Sequence, residues 1–384
     1  MKKNKLLFPI LGLILMIIGI QSCQRDETLI PKQKNDNFDE ALNIGKAMLR
    51  SNLKEGGSNN IARTKKTSKY QNLELKDYST KTTRKGKDLY YIINYKPEGF
   101  AIVTASDRFK QRVLAFSDYG TFDLKNLNPA LNEWVIGMDS LISVKLENSN
   151  KSVDLLANSS AQTLTTTIVG PLINTQYDQG VGFNEYVELY GFGDLTTNCT
   201  TVANGRPPAG CVPVAMAQLM NYWRPGNMYS WSLIDQENAA GNNGGKWTAQ
   251  MISNLGSLVG TDYKCGGSGT SPSEAYQYFK TVRKAGATTT IFNSSIQYVS
   301  YSLNTVIANL NSNRPVYVDG FYSNNPTGHA WIIDGYRIDA NGTYLSHNWG
   351  WRGVGNGFYL VGASSPHPTQ FNTNNKIIAN LFLN

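Results

Sequence analysis

Apolar and polar positions along the chain predict two folding units joined by a polar linker. In the N-terminal unit, residues 36–53 have helical periodicity, and residues 88–95 and 100–106 are apolar runs on either side of a Lys-Pro-Glu-Gly turn. Two such runs around a short turn predict a β-hairpin. Residues 112–123 continue the strand pattern, and residues 128–148 place their apolar side chains on one helical face. We therefore expect a small α+β unit.

The C-terminal unit begins after residues 148–166, which are rich in Ser, Asn and Thr and are typical of a linker. It opens with loops and a predicted helix at residues 212–223. Helical patterns and then strand patterns follow, at residues 244–260 and 271–286 and at 314–322, 329–339, 342–349 and 357–361. Helices followed by strands predict an α+β domain in which a helix packs on an antiparallel sheet.

The charge distribution argues against nucleic-acid binding. The formal net charge is +8, but residues 161–384 hold 11 Lys and Arg against 11 Asp and Glu. The excess of basic residues lies in residues 1–160, with 25 basic against 17 acidic side chains. We find no basic stripe with interleaved aromatic residues of the kind that binds nucleic acid. A hydrophobic content of 41% is ordinary for a globular protein.

The first residues have the pattern of an export signal. Three lysines within the first five residues precede an apolar run at residues 6–20, which is too short for an ordinary membrane-spanning helix. The following Ile-Gln-Ser-Cys resembles a bacterial lipobox, apart from Gln21. We expect residues 1–22 to be a lipoprotein-type signal peptide, Cys23 to be lipidated and residues 23–37 to form a tether. A plain secretory signal is the alternative.

The cysteine count leaves one thiol unpaired. With Cys23 assigned to lipid, three cysteines remain in an oxidising compartment, so at least one is free or bonded to another molecule. Cys199 and Cys265 both lie in polar loops and are candidates for a bridge, which leaves Cys211 free. The spacings match no zinc pattern, so we expect no metal site.

Cys211 lies at the predicted start of the helix at residues 212–223. Pro213 fits the first turn, where its missing N–H costs nothing, and Pro225 ends the helix. A helix N-terminus favours a thiolate over a thiol, and the thiolate is the nucleophile of cysteine catalysis. The alternative is that Cys211 packs as a small hydrophobic residue.

The candidate base is one of three histidines. His329 begins an apolar strand, His347 precedes an Asn-Trp-Gly-Trp turn, and His367 lies between two prolines in a predicted exposed loop. A thiol at a helix start followed by a histidine on a later strand suggests that His329 takes the thiol proton. His329 could instead be structural, and we expect a structural role for His347.

Three further residues could complete the site. Asn348 or Trp349 could orient the imidazole, as the third member of a triad does, and an indole could shield the pair from water. The alternative for this turn is a structural role in the core. Gln179 could donate its amide N–H to a developing oxyanion, together with the backbone N–H of Cys211.

Four segments, residues 176–184, 209–223, 328–336 and 347–359, together resemble the streptopain family of papain-like cysteine peptidases. The resemblance implies that Cys211 is the nucleophile, His329 the base and Gln179 the oxyanion donor, with Asn348 and Trp349 beside the base. Residues 85–145 resemble the family's inhibitory propeptide. Pro213 stands where the family often has Ala or Thr, and the family's Gly-rich C-terminal loop has no counterpart in this sequence.

The predicted protein is thus a papain-like α+β cysteine peptidase domain at residues 167–384, preceded by a smaller α+β prodomain at residues 38–147. The linker at 148–166 is the expected maturation site. We expect an exported, lipid-anchored endopeptidase of the bacterial outer membrane or cell surface, which maturation could release. It would cleave proteins or peptides, need no cofactor and be inhibited by its own propeptide. The alternatives are another Cys/His acyl-transfer enzyme, such as an amidase or a transglutaminase-like protein, and a non-catalytic surface lipoprotein.

Overall fold

A computed structural model of the protein describes residues 36–55, 72–148, 152–155, 165–187, 199, 204–241, 244–322, 325–362 and 373–384. The predicted signal peptide, Cys23 and His367 lie outside these described residues. The first helix begins at Asp36, so the last two residues of the predicted tether at 23–37 belong to the N-terminal unit. None of the helices in this part of the chain combines the length and apolar character needed to cross a membrane.

The described residues of the N-terminal unit form two helices and four strands. Its elements are α1 Asp36–Glu55, β1 Glu74–Thr82, β2 Asp88–Lys96, β3 Phe100–Thr104, β4 Val113–Ser117 and α2 Pro129–Glu147. The predicted hairpin is confirmed, because β2 and β3 pair antiparallel with Asn94 opposite Phe100. The side chain of Asn128 caps α2 by accepting a hydrogen bond of 2.8 Å from the N–H of Leu131. Pro129 occupies the first turn, where proline is tolerated.

The C-terminal unit contains five helices and seven strands among the described residues. They are β5 Thr167–Val169, α3 Cys211–Trp223, α4 Trp231–Ala239, α5 Lys246–Leu258, α6 Pro272–Thr281, β6 Gln297–Ser300, α7 Leu303–Asn311, β7 Val316–Tyr322, β8 Asn325–Asp339, β9 Gly342–Asn348, β10 Gly357–Leu360 and β11 Thr373–Ala379. The four strands and three helices predicted for this unit are all found.

The two units share one sheet, which the sequence did not predict. The strand order is β1-β2-β3-β4-β10-β9-β8-β7-β11-β6, and β5 pairs with β8. The junction is short: β4 pairs antiparallel with β10, with Phe116 opposite Phe358 and Ala115 opposite Tyr359. The rings of Phe116 and Phe358 stack with their centroids 5.0 Å apart. Residues Asp36–Asn384 accordingly form one compact unit.

Strand β8 is buried on both faces and therefore joins two cores. Ala330 and Ile332 face α3 and pack with its apolar side chains and with Tyr317 from β7. Trp331 and Ile333 point to the opposite face and pack in the core that also contains the apolar residues of the N-terminal unit. This arrangement places the start of α3 beside the start of the apolar part of β8.

The first part of the predicted linker at 148–166 belongs to the N-terminal unit. Val153 pairs with Phe109 in an isolated parallel bridge, and the Val153 backbone exchanges hydrogen bonds with Arg108 and Lys110. The backbone N–H of Leu155 donates to the side chain of Gln111. Both Val153 and Leu155 are buried. The sequence pattern did not reveal this packing, because Ser, Asn and Lys dominate the segment and its few apolar residues form no periodic pattern.

The sequence reading also missed elements that carry no clear apolar pattern. These are the strands β1, β5, β6 and β11 and the short helices α4 and α7. In β1 every side chain is exposed or half-buried, so its sequence, ELKDYSTKT, has almost no hydrophobic signal. Its pairing with β2, rather than its own pattern, makes it a strand.

Candidate active site

Cys211 is the first residue of α3, as predicted. Gly210 occupies the cap position with φ +89°, a left-handed conformation that glycine adopts without strain, and no side chain caps the helix. No side chain therefore competes for the backbone N–H groups of the first turn, which lie next to the thiol. Cys211 is the one free cysteine among the described residues, because Cys199 and Cys265 form a disulfide.

Cys211 lines a cleft of about 770 Å³ together with His329, Gln179 and Trp351. The structure thus brings three of the predicted site residues to one cavity. Pro129, the first residue of α2, lines the same cleft. The N-terminal unit therefore reaches the candidate active site with the beginning of its second helix.

His329 lies on β8 opposite Gly320 and is only 6% exposed. Its Nε2 atom is 3.0 Å from the backbone carbonyl oxygen of Trp349. A carbonyl oxygen can only accept, so Nε2 carries the hydrogen and Nδ1 is the unprotonated nitrogen that can act as a base. The indole of Trp331 lies nearly parallel to the imidazole, with centroids 6.0 Å apart, and packs against the ring.

Trp349, one of the two residues expected to orient the histidine, contacts it through its backbone carbonyl and not through its side chain. The Trp349 indole instead donates from Nε1 to the carbonyl of Gly355 and stacks on His347 with centroids 4.7 Å apart. The Asn348 side chain does not fill the orienting role either, because its Nδ2 donates to the carbonyl of Thr175 at 2.8 Å. A backbone carbonyl is present in every residue, so the sequence could not show that this group of Trp349 is the acceptor for His329.

The indole at the cleft belongs to Trp351, which the sequence reading did not single out. Trp351 lines the cleft, and its ring centroid is 6.3 Å from that of His329. The tandem Trp-Gly-Trp motif contained the signal, but alternation could not tell which indole faces the cavity. The shielding role suggested for an indole of this turn therefore fits Trp351.

His347 lies in an aromatic stack. Its Nδ1 accepts a hydrogen bond of 2.9 Å from the indole of Trp331, and its ring stacks on Trp349 and meets Tyr359 edge-on. Burial lowers the pKa of His347 to about 3, so its imidazole is neutral at physiological pH. These contacts agree with the structural role expected for His347.

Gln179 is held against the chain that leads into Cys211. Its backbone carbonyl accepts from the N–H of Ala209 at 2.8 Å, and its own N–H donates to the carboxylate of Asp178 at 2.7 Å. Asp178 forms an ion pair of 3.0 Å with Arg352, from the segment that follows Trp351. Gln179 therefore lines the cleft on a backbone that is fixed at both its amide and its carbonyl.

The candidate pair is neutral in the full-length chain. Burial raises the pKa of the Cys211 thiol, and backbone hydrogen bonds from Ala330, Val212 and Cys211 itself oppose the rise only in part. Burial also lowers the pKa of His329 to about 4, although its bond to Trp349 favours the charged form. A thiol and a neutral imidazole therefore face the cleft at neutral pH while Pro129 lines it.

Asp319 is a buried carboxyl group near the nucleophile that the sequence reading missed. It is 1% exposed and lies opposite Ala330 in the β7–β8 pair. The hydroxyl of Tyr298 donates to it at 3.0 Å. Burial raises the pKa of Asp319 to about 7, while Tyr298 and Lys376 lower it in part. Its negative charge in turn raises the pKa of Cys211. Asp319 can therefore influence how readily the thiol ionises.

Asp319→Asn is expected to change how stability depends on pH. A carboxyl pKa that folding raises gives stability that is complete below the unfolded value of about 3.9 and is lost as pH rises toward about 7. The variant lacks this loss, so its Tm relative to wild type should be higher at pH 8 than at pH 4. We also expect its Cys211 to react with iodoacetamide at lower pH.

Asp107→Asn is the matched control, because Asp107 is exposed on the N-terminal unit. Its Tm difference from wild type should not vary with pH in this way. If the Tm difference between Asp319→Asn and wild type is the same at pH 4 and pH 8, the carboxyl group of Asp319 does not make stability depend on pH in this way.

Comparisons with known proteins agree with both halves of this architecture. Residues 225–359 match the model of the peptidase C10 family, and residues 37–140 match the model of the Spi protease inhibitor. Streptopain of Streptococcus pyogenes serotype M28 and that of serotype M1 are each 24% identical over 319 residues, which span 72% of this chain and 74% of the relative. The structure is similar to that of a prointerpain A fragment of Prevotella intermedia, with 20% identity and a TM-score of 0.56, over 82% of this chain and 100% of that fragment.

These findings define an inhibited cysteine peptidase, in which an inhibitor domain precedes a papain-like peptidase domain on one chain. The peptidase domain is similar to the peptidase C10, or streptopain, family over residues 225–359. The matched range of the peptidase model begins at residue 225 and so includes His329 but not Cys211. The assignment of the nucleophile therefore depends on the position of Cys211 at the start of α3 and in the cleft.

Proposed function

We propose that the protein cleaves peptide bonds through a thioester on Cys211, with His329 as the general base. The observation that carries the proposal is that Cys211, His329 and Gln179 line one cleft while the Nε2–H of His329 is bound to the Trp349 carbonyl. Since Nε2 is committed, Nδ1 is the nitrogen that can exchange a proton with the thiol and with the leaving amine.

The proposed reaction has two halves. His329 Nδ1 takes the proton of the Cys211 thiol, and the thiolate attacks the scissile carbonyl carbon. The oxyanion accepts hydrogen bonds from the Gln179 side chain and from the Cys211 backbone N–H. The carbon–nitrogen bond then breaks, and the imidazolium protonates the departing amine. Water, deprotonated by His329, attacks the thioester and releases the acid and the thiol.

The contacts of α2 explain how the inhibitor domain holds the site inactive. Pro129 lines the cleft, and Leu131 lies so close to Gly355 that a Cβ on that glycine would be 2.2 Å from its Cδ2 atom. Trp134 meets the ring of Tyr359 edge-on at 5.0 Å. Helix α2 therefore packs on residues 349–359. The backbone carbonyl of Trp349, at the start of this segment, is the acceptor for the Nε2–H of His329.

The test combines a substrate with a covalent label. The activated protein should hydrolyse unfolded casein to peptides, and a thiol-reactive epoxide should stop the reaction and add its mass to the peptide that contains Cys211. If the label reaches Cys211 but ammonia is released from glutamine side chains without new peptides, the protein is an amidase or a transglutaminase-like enzyme instead. Absence of both label and hydrolysis would leave the non-catalytic alternative.

Maturation is expected to cut between Leu155 and Thr167. Leu155 is the last described residue packed on the inhibitor domain, and Thr167 begins β5, which pairs with β8 of the peptidase domain. A cut in this interval breaks the covalent connection between the two domains and leaves both intact, and small-residue connections are preferred sites of proteolysis. N-terminal sequencing of the active form should give a start at residues 156–167. A start within the inhibitor domain, at residues 85–145, would contradict this prediction.

We further propose export with a lipid anchor on Cys23, on the evidence of the lysine-rich start, the apolar run at residues 6–20 and the lipobox-like Ile-Gln-Ser-Cys. The full-length protein should then take up a labelled fatty acid in bacterial cells and fractionate with membranes until maturation releases it. Cys23→Ala should lose the label. If the wild-type protein takes up no fatty acid yet appears outside the cytoplasm, the signal is a plain secretory one.

A further inference from the structure

A small hairpin rich in glycine forms part of the cleft wall. We call residues 261–270 the glycine hairpin. Its two arms are joined by backbone hydrogen bonds between Asp262 and Gly269, of 2.8 and 3.0 Å, and by a 2.7 Å bond between the hydroxyls of Thr261 and Thr270. Residues 266–270 line the same cleft as Cys211. A substrate bound at Cys211 would therefore meet the end of this hairpin.

Packing does not fix the end of the glycine hairpin. A Cβ atom built on Gly266, Gly267 or Gly269 would find no other atom within 4 Å, so these residues border open space. Gly267 has φ +143°, a conformation that other residues rarely adopt. Because glycine also has the largest backbone freedom, the position of the hairpin end has to be set by other contacts.

Two tethers attach the glycine hairpin to the segment that leads into the nucleophile. The hydroxyl of Ser268 donates to the carbonyl of Pro208 at 2.5 Å. Cys265 forms a disulfide with Cys199, which is 1% exposed and whose N–H donates to the carbonyl of Gly205 at 2.9 Å. Of these two, the disulfide is the covalent one, and it links residues 66 positions apart in the sequence.

We propose that the Cys199–Cys265 disulfide positions the glycine hairpin as a substrate-binding wall, so that its reduction weakens substrate binding while Cys211 keeps its chemistry. The proposal rests on the proposed catalytic role of Cys211. Its consequence is that the Cys211 thiol in the cleft must be reduced, while the bridge that holds the cleft wall must remain oxidised. Activity therefore rises and then falls as a reducing agent is added.

The reducing agent in this scheme is an external dithiol. A thiolate of the dithiol attacks one sulfur of the bridge, and its second thiol then displaces the other protein cysteine. The Cys199–Cys265 bond breaks, both cysteines become thiols, and the dithiol closes to a cyclic disulfide. Two electrons and two protons thus pass from the dithiol to the protein.

The test uses the full chain, activated in the same way for each variant, with kcat and KM measured on a peptide substrate. Titration with the thiol-reactive epoxide counts competent Cys211, so kcat refers to active molecules alone. In the double variant Cys199→Ser/Cys265→Ser we expect KM to rise roughly tenfold, which corresponds to about 1.4 kcal/mol of binding free energy, and kcat to stay near wild type. Wild type should show the same rise at high dithiol concentration, and the variant should not.

Ser268→Ala provides a second measurement if the double variant folds poorly. It keeps the disulfide and removes the other tether, so its KM should respond to the dithiol more steeply than that of wild type. An unchanged KM in reduced wild type, or a fall in kcat with KM unchanged, would overturn the positioning role. Failure of the proposed function is distinguishable, because the epoxide would then label no Cys211 in the oxidised, activated wild type.

Discussion

Cys211→Ser is expected to lower kcat/KM on a peptide substrate by roughly 10⁴-fold or more, because it removes the nucleophile of a coupled catalytic unit. A serine hydroxyl is far less acidic than a thiol. The base beside it is also weak, since burial lowers the pKa of His329 to about 4. An imidazole with so low a pKa is a poor acceptor for the proton of an alcohol, so the variant should neither hydrolyse casein nor process itself.

The measurement compares casein hydrolysis and the size of the purified chain for wild type and variant. Serine differs from cysteine by one atom, so the Tm of the full-length variant should stay close to that of wild type. The double variant Cys199→Ser/Cys265→Ser is the matched control, because it also replaces sulfur by oxygen but leaves Cys211 in place. It should still process itself and accept the epoxide label. A Cys211→Ser protein that matures and cleaves casein would exclude the thioester mechanism.

The sequence predicted those parts of the fold whose local pattern agrees with their final environment. The hairpin at β2 and β3 is mainly apolar, and it is buried except at Asp88 and Lys96, the two ends of β2. Strand β1 has no such pattern, because it is an edge strand whose side chains face solvent. The pairing of β4 with β10 joins residues far apart in the sequence. The hydrophobic pattern of each strand does not show which distant strand it pairs with, so the sequence could not predict the shared sheet.

In the site, too, the sequence reveals the reactive side chains but not the contacts that position them. Cys211, His329 and Gln179 have side chains whose chemistry can be recognised, and the structure places all three on one cleft. The acceptor for His329 is a backbone carbonyl, which every residue possesses, so it has no signature in the sequence. Asp319 also escaped notice, because an acidic residue on an apolar strand has functional meaning only once its neighbours are known.

His329→Ala is expected to lower kcat by roughly 10²- to 10⁴-fold, the usual contribution of a general base. Loss of the imidazole leaves the Cys211 thiol without an acceptor for its proton and the leaving amine without a donor. Since burial raises the pKa of Cys211, the fraction of thiolate at neutral pH should be small in the variant. Its remaining activity should therefore increase with pH beyond the range in which wild-type activity has levelled off.

His347→Gln is the matched control, because it removes an imidazole 18 residues further along the same sheet without removing the proposed base. His347 accepts the indole N–H of Trp331 and stacks on Trp349, so its loss should lower Tm. We expect its kcat to fall far less than that of His329→Ala, and the shape of its pH profile to match wild type. The two indoles that contact His347 also support the base, because Trp331 packs against His329 and Trp349 provides the carbonyl acceptor for His329. A small loss of kcat is therefore expected. If His347→Gln removed catalysis while His329→Ala retained it, the base would have to be reassigned to the aromatic stack.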